Sequence, residues 1–396
     1  MLGGGTGGEA ECRRPSPCAA GGGPFFAWCC GPKLVAAKMH WALTAVLLGA
    51  ALAVPAPPSK AAGFNFVAEG FEGPLPYDAP ESLASLRLAV GAGINSFTLS
   101  FPWYIASPHS TGPIYPVPGG CPSGAPFNNA SSPSNASLVA AIRAVHALGA
   151  AVVLRPIIDP HWSAAQRGDS TWRGAIGLNP PFTPAQWEEF FANYSAFMLS
   201  FAALAEREGV ETLCIGAELA STEPLTAQWR QLFAAVRAVY GGAVYYSSQT
   251  GADLPWWDAS DYIAQDMYPQ LTNATADPSA VSVGQLVEAW GATAAHFQQM
   301  SARHNKSVLL QETGICSVHR LGIYSQPAFF ECYGLPIDQS VQAKYYDSVL
   351  TAMYPLPWVA GVTFWKWGAE GGPADPTFFP LNKSTMGVIK RHLGPQ

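Results

Sequence analysis

From Gly63 onward, short apolar runs with strand character alternate with longer stretches in which apolar residues recur every three or four positions. Runs of the first kind are Phe64–Glu69, Asn95–Phe101, Ala151–Asp159, Thr212–Glu218, Ala243–Gln249, Tyr262–Tyr268, Val308–Glu312 and Val359–Trp365. Stretches of the second kind are Glu81–Val90, Ser137–Leu148, Pro184–Arg207, Thr226–Tyr240, Val283–His304 and Val341–Tyr354. This alternation is what repeated βα units produce, whereas a sandwich would string strands together with turns alone. One helix start is clearly marked: Thr183 stands as capping residue before Pro184, and Glu188 and Glu189 follow early in the helix. Gly149, Gly209 and Gly241 stand where helices should stop. Between the fifth and sixth strands the segment 255–260 leaves room for a short turn only.

Eight strand candidates between residues 63 and 396 suit one barrel with loop insertions. The expected fold is therefore α/β, a single (β/α)8 TIM barrel. A doubly wound open sheet is the alternative, but the first turn lacks G-x-G-x-x-G. Residues 1–62 read differently, as a leader: Gly- and Pro-rich to Pro32, then Lys33 and Lys38, then an apolar core at 41–54. That core is shorter than the ~20 residues a membrane span requires, and Ala51-Leu52-Ala53 supplies a small-x-small cleavage pattern. The expectation is a signal peptide and a secreted or cell-wall product, with an uncleaved N-terminal anchor as the alternative.

Composition narrows the partners. Of 396 residues, 49% are hydrophobic and 12% charged, with a net charge of -6; a large core is affordable, and no basic excess exists to neutralise phosphates, so nucleic acid is a poor partner. Sequons at Asn129, Asn135, Asn193, Asn273, Asn305 and Asn382 suit a secretory glycoprotein. Cys12, Cys18, Cys29 and Cys30 precede the apolar core, leaving Cys121, Cys214, Cys316 and Cys332 in the body. Cys316 and Cys332 flank one loop and are placed to form a disulfide in an oxidising compartment; Cys214, inside an apolar strand, reads as a buried thiol. His109, His296, His304 and His319 have no metal-ligand spacing, so no metal or other cofactor is expected. No repeat, appended module or exposed helix stripe is visible, and a monomer is expected.

In a (β/α)8 barrel the C-terminal strand ends surround the site. Here they carry Glu69 and Glu72 after the first strand, Arg155, Asp159, His161 and Trp162 on and after the third, and Glu218 on the fourth. The sixth supplies Asp266 and Tyr268, the seventh Glu312, and the eighth Trp365, Lys366 and Trp367. Two glutamates stand out because each closes an apolar run, Leu213-Cys214-Ile215-Gly216-Ala217-Glu218 and Val308-Leu309-Leu310-Gln311-Glu312. Glycosidic cleavage needs such a pair. One carboxyl with raised pKa protonates the leaving oxygen; the other, when the two lie about 5–5.5 Å apart, attacks the anomeric carbon. The plainer alternative makes each a strand-end carboxylate paired with Arg155 or Lys366.

Several of these segments together resemble glycoside hydrolase family 113, of the clan of retaining (β/α)8 glycosidases. They are Leu154-Arg155-Pro156-Ile157-Ile158-Asp159, Thr171-Trp172-Arg173-Gly174-Ala175-Ile176, Ile215-Gly216-Ala217-Glu218-Leu219, Met267-Tyr268-Pro269, Gln311-Glu312-Thr313-Gly314 and Phe364-Trp365-Lys366-Trp367. The resemblance implies Glu218 as acid/base, Glu312 as nucleophile, Tyr268 as hydroxyl donor to the nucleophile, Trp365 or Trp367 as the platform beneath the sugar, and a β-1,4-mannan-type polysaccharide or oligosaccharide as substrate.

The chain departs from the clan at Ala217, where a polar residue usually meets the substrate 2-hydroxyl, a contact worth several kcal/mol in the transition state. That opens β-glucan, xylan or galactoside as alternatives. A catalytically inactive, lectin-like barrel is a further alternative. The insertions at 107–133 and 315–339 would rim the mouth. Trp172 and Arg173 are substrate-binding candidates. Arg155, Asp159 and Asp266 either meet sugar hydroxyls or pair among themselves and with Arg173. His161 and Trp162 could line a subsite, and Trp256 and Trp257 either form a sugar shelf or fold back onto the barrel.

Overall fold

The computed structural model describes residue 58 and residues 60–67, 75–117, 131–161, 168–323, 332–369 and 371–395. Nearly all of the leader, Glu69, Glu72, Cys121, Asn129 and Trp162 lie outside them. Among the described residues no helix is long and apolar enough to cross a membrane.

Eight parallel strands close into a barrel in chain order. They are β1 (Ala61–Phe66), β2 (Ser96–Ile105), β3 (Ala151–Pro160), β4 (Thr212–Ala217), β5 (Ala243–Ser248), β6 (Ile263–Asp266), β7 (Val308–Glu312) and β8 (Val359–Trp367). The helices are α1 (Pro80–Val90), α2 (Asn135–Ala147), α3 (Pro184–Glu208), α4 (Thr226–Arg237), α5 (Val283–Ala289), α6 (Gly291–His304), α7 (Gln339–Ala352) and α8 (Thr385–Leu393). β1 starts at Ala61, two residues before the expected boundary. The stretch read as one helix over 283–304 is interrupted at Trp290, and α8 went unrecognised because its apolar face is confined to nine residues.

Local chemistry explains the helix ends. Thr183 and Gln186 form a reciprocal capping box at the start of α3, and Gly209 ends it in the left-handed conformation with φ 66°. α4 stops at Arg237, so Gly241 is not its cap. β5 and β6 are joined through a single 3-10 turn at Trp257–Ala259.

Two apolar layers hold the barrel. Outward side chains such as Phe64, Leu99, Leu154, Ile215, Val244, Leu310 and Phe364 pack beneath the helices. Inside, Val153, Cys214, Tyr245, Ala264 and Leu309 form a separate plug below the site. Cys214 is a buried thiol, and Cys316 and Cys332 form a disulfide in the loop after β7.

Strand pairing has one feature that matters for the site: β4, β7 and β8 each carry one extra residue against a neighbour. Cys214 and Ala217 lie opposite Tyr245 and Ser247; Leu310 and Glu312 lie opposite Gln265 and Asp266; Phe364 and Trp367 lie opposite Phe64 and Phe66. Such bulges break the two-residue alternation and re-aim the side chains that follow.

Candidate active site

Glu218 follows β4 with φ 53°, a left-handed conformation that costs a non-glycine residue about 1–2 kcal/mol. Its N–H donates to the Ser247 carbonyl at 2.9 Å, which ties the strained residue to β5. Glu312 ends β7, where the bulge lets Gln311 and Glu312 both serve the barrel interior. Beyond it, a Cβ on Gly314 would lie 2.2 Å from the Trp365 carbonyl oxygen, so only glycine lets β7 and β8 converge at the mouth. Glu218, Asp266 and Glu312 each place a carboxylate oxygen within 4.8 Å of the others, and all three are buried.

Two guanidinium groups divide these acids. Arg155, rising from β3 and wholly buried, donates to Glu312 Oε1, to Asp266 Oδ2 at 2.7 Å and to Asn65 Oδ1 at 3.3 Å. Arg173, on the 3-10 turn Arg173–Ala175, donates through Nε and Nη2 to both oxygens of Asp159 at 2.9 Å and through Nη1 to Glu218 Oε2 at 2.7 Å. The Tyr268 hydroxyl donates to Glu312 Oε2 at 2.7 Å. The Ser247 hydroxyl donates to Asp266 Oδ1 at 2.6 Å.

Four carboxyls thus face two guanidiniums in a largely buried site, and the electrostatics follow. Burial raises the Glu218 carboxyl above its ordinary range; Arg173 opposes the rise and Glu312 adds to it. Burial likewise holds Asp266 well above the ordinary aspartate value, with Arg155 opposing and Glu312 and Glu218 reinforcing. The Tyr268 phenol is pushed well up by burial and by Glu312 beside it, so it remains a donor. The three central acids could meet a cation by geometry alone, but Arg155 and Arg173 already occupy that electrostatic role.

Of the residues singled out in the sequence, Glu218, Glu312, Tyr268, Asp159, Arg173, Arg155 and Asp266 converge. The last two need correction as substrate contacts: both side chains have no exposed surface, so they support Glu312 from below and do not meet a sugar. Asp159 pairs with Arg173, and Glu312 pairs with Arg155 but not with Lys366. Trp365 is buried against Tyr268, Phe378 and the Cys316–Cys332 bridge. Trp367 is not at the mouth at all. The bulge in β8 turns it outward, where its ring packs 5.0 Å from Phe64 and its Nε1–H donates to Ser85 Oγ at 3.2 Å. Trp256 and Trp257 are also core residues, Trp256 stacking on Trp229 at 5.1 Å, so the shelf reading falls. Trp172 lies on the rim and is 42% exposed; His161 sits beside Tyr104 and Tyr115.

Several supporting residues escaped the sequence reading. Asn65 accepts from Ser100 and Arg155 and donates to the Gln311 carbonyl at 2.9 Å, and Tyr245 donates to the Gln311 side chain. Glu223 accepts from Ser248, Tyr246 and Thr250, pinning the loop after β4 to β5. The available signal was a polar residue inside an apolar run, as in Phe64-Asn65-Phe66.

The sequence model of Glycoside Hydrolase Family 113 matches residues 118–376. The chain belongs to this family. It is accordingly a glycoside hydrolase, built as a (β/α)8 barrel. Among solved structures, the family 113 enzyme is similar to the GH113 β-mannanase of Alicyclobacillus acidocaldarius in complex with ManMIm, at 25% identity and TM-score 0.63, over 83% of this chain and 95% of that one. A second GH113 β-1,4-mannanase shares the fold at 21% identity and TM-score 0.67, over 85% of this chain and 99% of the other. A Ruminococcus gnavus β-glucuronidase shares it more distantly, at 13% identity and TM-score 0.53, over 84% of this chain and 50% of that one. A comparison with curated protein sequences gives no significant match.

Proposed function

We propose that this protein hydrolyses β-1,4-mannan or its oligosaccharides by double displacement, as a secreted monomer that needs no cofactor. The observation that carries the mechanism is the approach of Glu218 and Glu312 carboxylate oxygens within 4.8 Å. Retaining enzymes hold their two carboxyls about 5–5.5 Å apart, whereas inverting enzymes leave roughly 6.5–9.5 Å for a water. The mannan assignment rests on the family and on the mannanases it is similar to.

Glu312, oriented by Arg155 and Tyr268, attacks the anomeric carbon as the glycosidic C–O bond breaks and Glu218 gives its proton to the leaving oxygen. The product is a glycosyl ester of Glu312. Water then enters, loses a proton to Glu218 and attacks the same carbon, and Glu312 leaves as carboxylate. The raised proton affinity of the buried Glu218 suits the first step, because a general acid must hold its proton near neutral pH. Export is supported by the Cys316–Cys332 bridge, since disulfides persist in oxidising compartments, and by the exposure of Asn273, Asn305 and Asn382.

The test is product release from β-mannan, β-glucan, xylan and galactan oligosaccharides, read by mass, for the wild type, Glu312→Gln and Glu218→Gln. Hydrolysis of manno-oligosaccharides by the wild type, lost in Glu312→Gln, is the expected result. Cleavage of a different glycan moves the substrate; binding without cleavage of any sinks the enzymatic mechanism. N-terminal sequencing of the exported protein tests leader removal.

A further inference from the structure

Asp159 and Arg173 are not spent on anything the displacement mechanism requires, yet they are built into the site with care. Arg173 is followed by Gly174, where a Cβ would lie 2.3 Å from the Trp172 ring and push that exposed ring aside. Its guanidinium edge, Nε with Nη2, is clamped by both oxygens of Asp159 at 2.9 Å, and the clamp leaves Nη1 aimed at Glu218 Oε2 at 2.7 Å. Two parallel bonds define an orientation that a single contact cannot. Among the described residues, nothing donates to Glu218 Oε1.

We propose that Arg173, oriented by Asp159, is a positioning residue for the acid/base: it holds Glu218 Oε2 and so selects Oε1 as the atom that delivers and takes back the proton. This rests on the reading of Glu218 as acid/base. No new bond chemistry is involved; the proton travels from Glu218 Oε1 to the leaving oxygen and later returns from water to the same atom.

The cation has a second consequence. The charged and titratable groups facing Glu218 are Arg155 and Asp159 from β3, Arg173 from the turn beyond it, Asp266 and Tyr268 from the end of β6, and Glu312 from β7. Burial and the three acids favour the protonated form, and Arg173 is the strongest influence against it. Arg173 therefore keeps the proton transferable. Without it Glu218 would hold its proton to higher pH and release it less readily.

The test compares Arg173→Met, Arg173→Lys and Asp159→Asn with the wild type, using kcat/KM for an unactivated manno-oligosaccharide and for a dinitrophenyl β-mannobioside. The second substrate's leaving group departs with little help from an acid. For Arg173→Met the expected loss is roughly tenfold or more on the first substrate and under about threefold on the second. The alkaline limb of the pH profile should move to higher pH. Asp159→Asn should show the same substrate-dependent loss more weakly, with its alkaline limb unmoved or lower because an acid that favours protonated Glu218 is gone, and Arg173→Lys should not restore activity, because an ammonium lacks the fork.

Equal losses on both substrates with an unmoved alkaline limb would mean a merely structural role and overturn the proposal. If Arg173→Met fails to fold, Asp159→Asn and Arg173→Lys decide the question by the ratio of their losses on the two substrates. Glu218→Gln separates the layers: if it keeps full turnover on the unactivated substrate, the acid/base assignment itself is wrong and the proposal falls with it. If it loses turnover there while the Arg173 variants behave as wild type, only the positioning role is lost.

Discussion

Replacing Arg155 by Met tests whether the barrel interior is organised around one buried cation. The guanidinium is wholly buried and satisfies Glu312, Asp266 and Asn65 at once. Methionine fills much of its volume but leaves two buried carboxyls without their cation, held only by the Tyr268 and Ser247 hydroxyls. Breaking a buried ion pair from one side typically costs about 3–5 kcal/mol, because the remaining charge is uncompensated. With an unfolding entropy of about 2.1 cal/mol/K per residue, a domain of the size of Leu52–Gln396 changes its Tm by roughly 4–7 °C for that loss.

The pH dependence gives the sharper reading. Burial already holds Asp266 well above its ordinary value, so the folded protein binds that proton more tightly than the unfolded chain does. A group of this kind favours the fold fully at pH below its unfolded value, and the benefit is lost as pH rises toward the folded one. Removing Arg155 widens the gap. Urea unfolding of Arg155→Met should therefore show a larger deficit at about pH 7.5 than at about pH 5. Turnover should fall roughly a hundredfold, since Glu312 loses the donor that orients it. A deficit under about 0.5 kcal/mol, or one that grows toward low pH, would refute the reasoning.

Two further outcomes follow from other parts of the fold. Trp367→Ala should cost about 3–5 kcal/mol in urea unfolding, with KM unchanged under conditions where the variant is folded, because the ring packs on Phe64 and not in the mouth. Lys383 is buried, donating to Ser317 Oγ and the Thr377 carbonyl, and burial pulls its pKa down to about 8 from the ordinary 10.5. Between those values the unfolded chain binds more protons than the folded one, so this lysine makes stability rise with pH across that window; the wild-type minus Lys383→Met Tm difference should therefore rise with pH there.

The sequence by itself determined the architecture and the inventory of the site. Strand runs separated by amphipathic stretches are local patterns, and eight of them in this length leave few closures besides the barrel. Glu218 and Glu312 were legible because each ends an apolar run, and Tyr268 and Arg173 because they belong to segments similar to a family. What the pattern could not carry was parity and partnership. A reading with period two puts Trp365 and Trp367 on one face, yet one extra residue in β8 turns Trp367 outward beneath the helices.

The bulges in β4 and β7 act in the same way for the acids: they bring Ala217 opposite Ser247 and let Gln311 and Glu312 both serve the interior. The pairing of Arg155 with Glu312 and Asp266, and of Arg173 with Asp159 and Glu218, is likewise a tertiary outcome. Those residues are joined across the barrel mouth, and their separation along the chain says nothing of distance. A short-range pattern tells which residues stand at the strand ends; the closed sheet, with its irregular register, decides where each one points and which charge it meets.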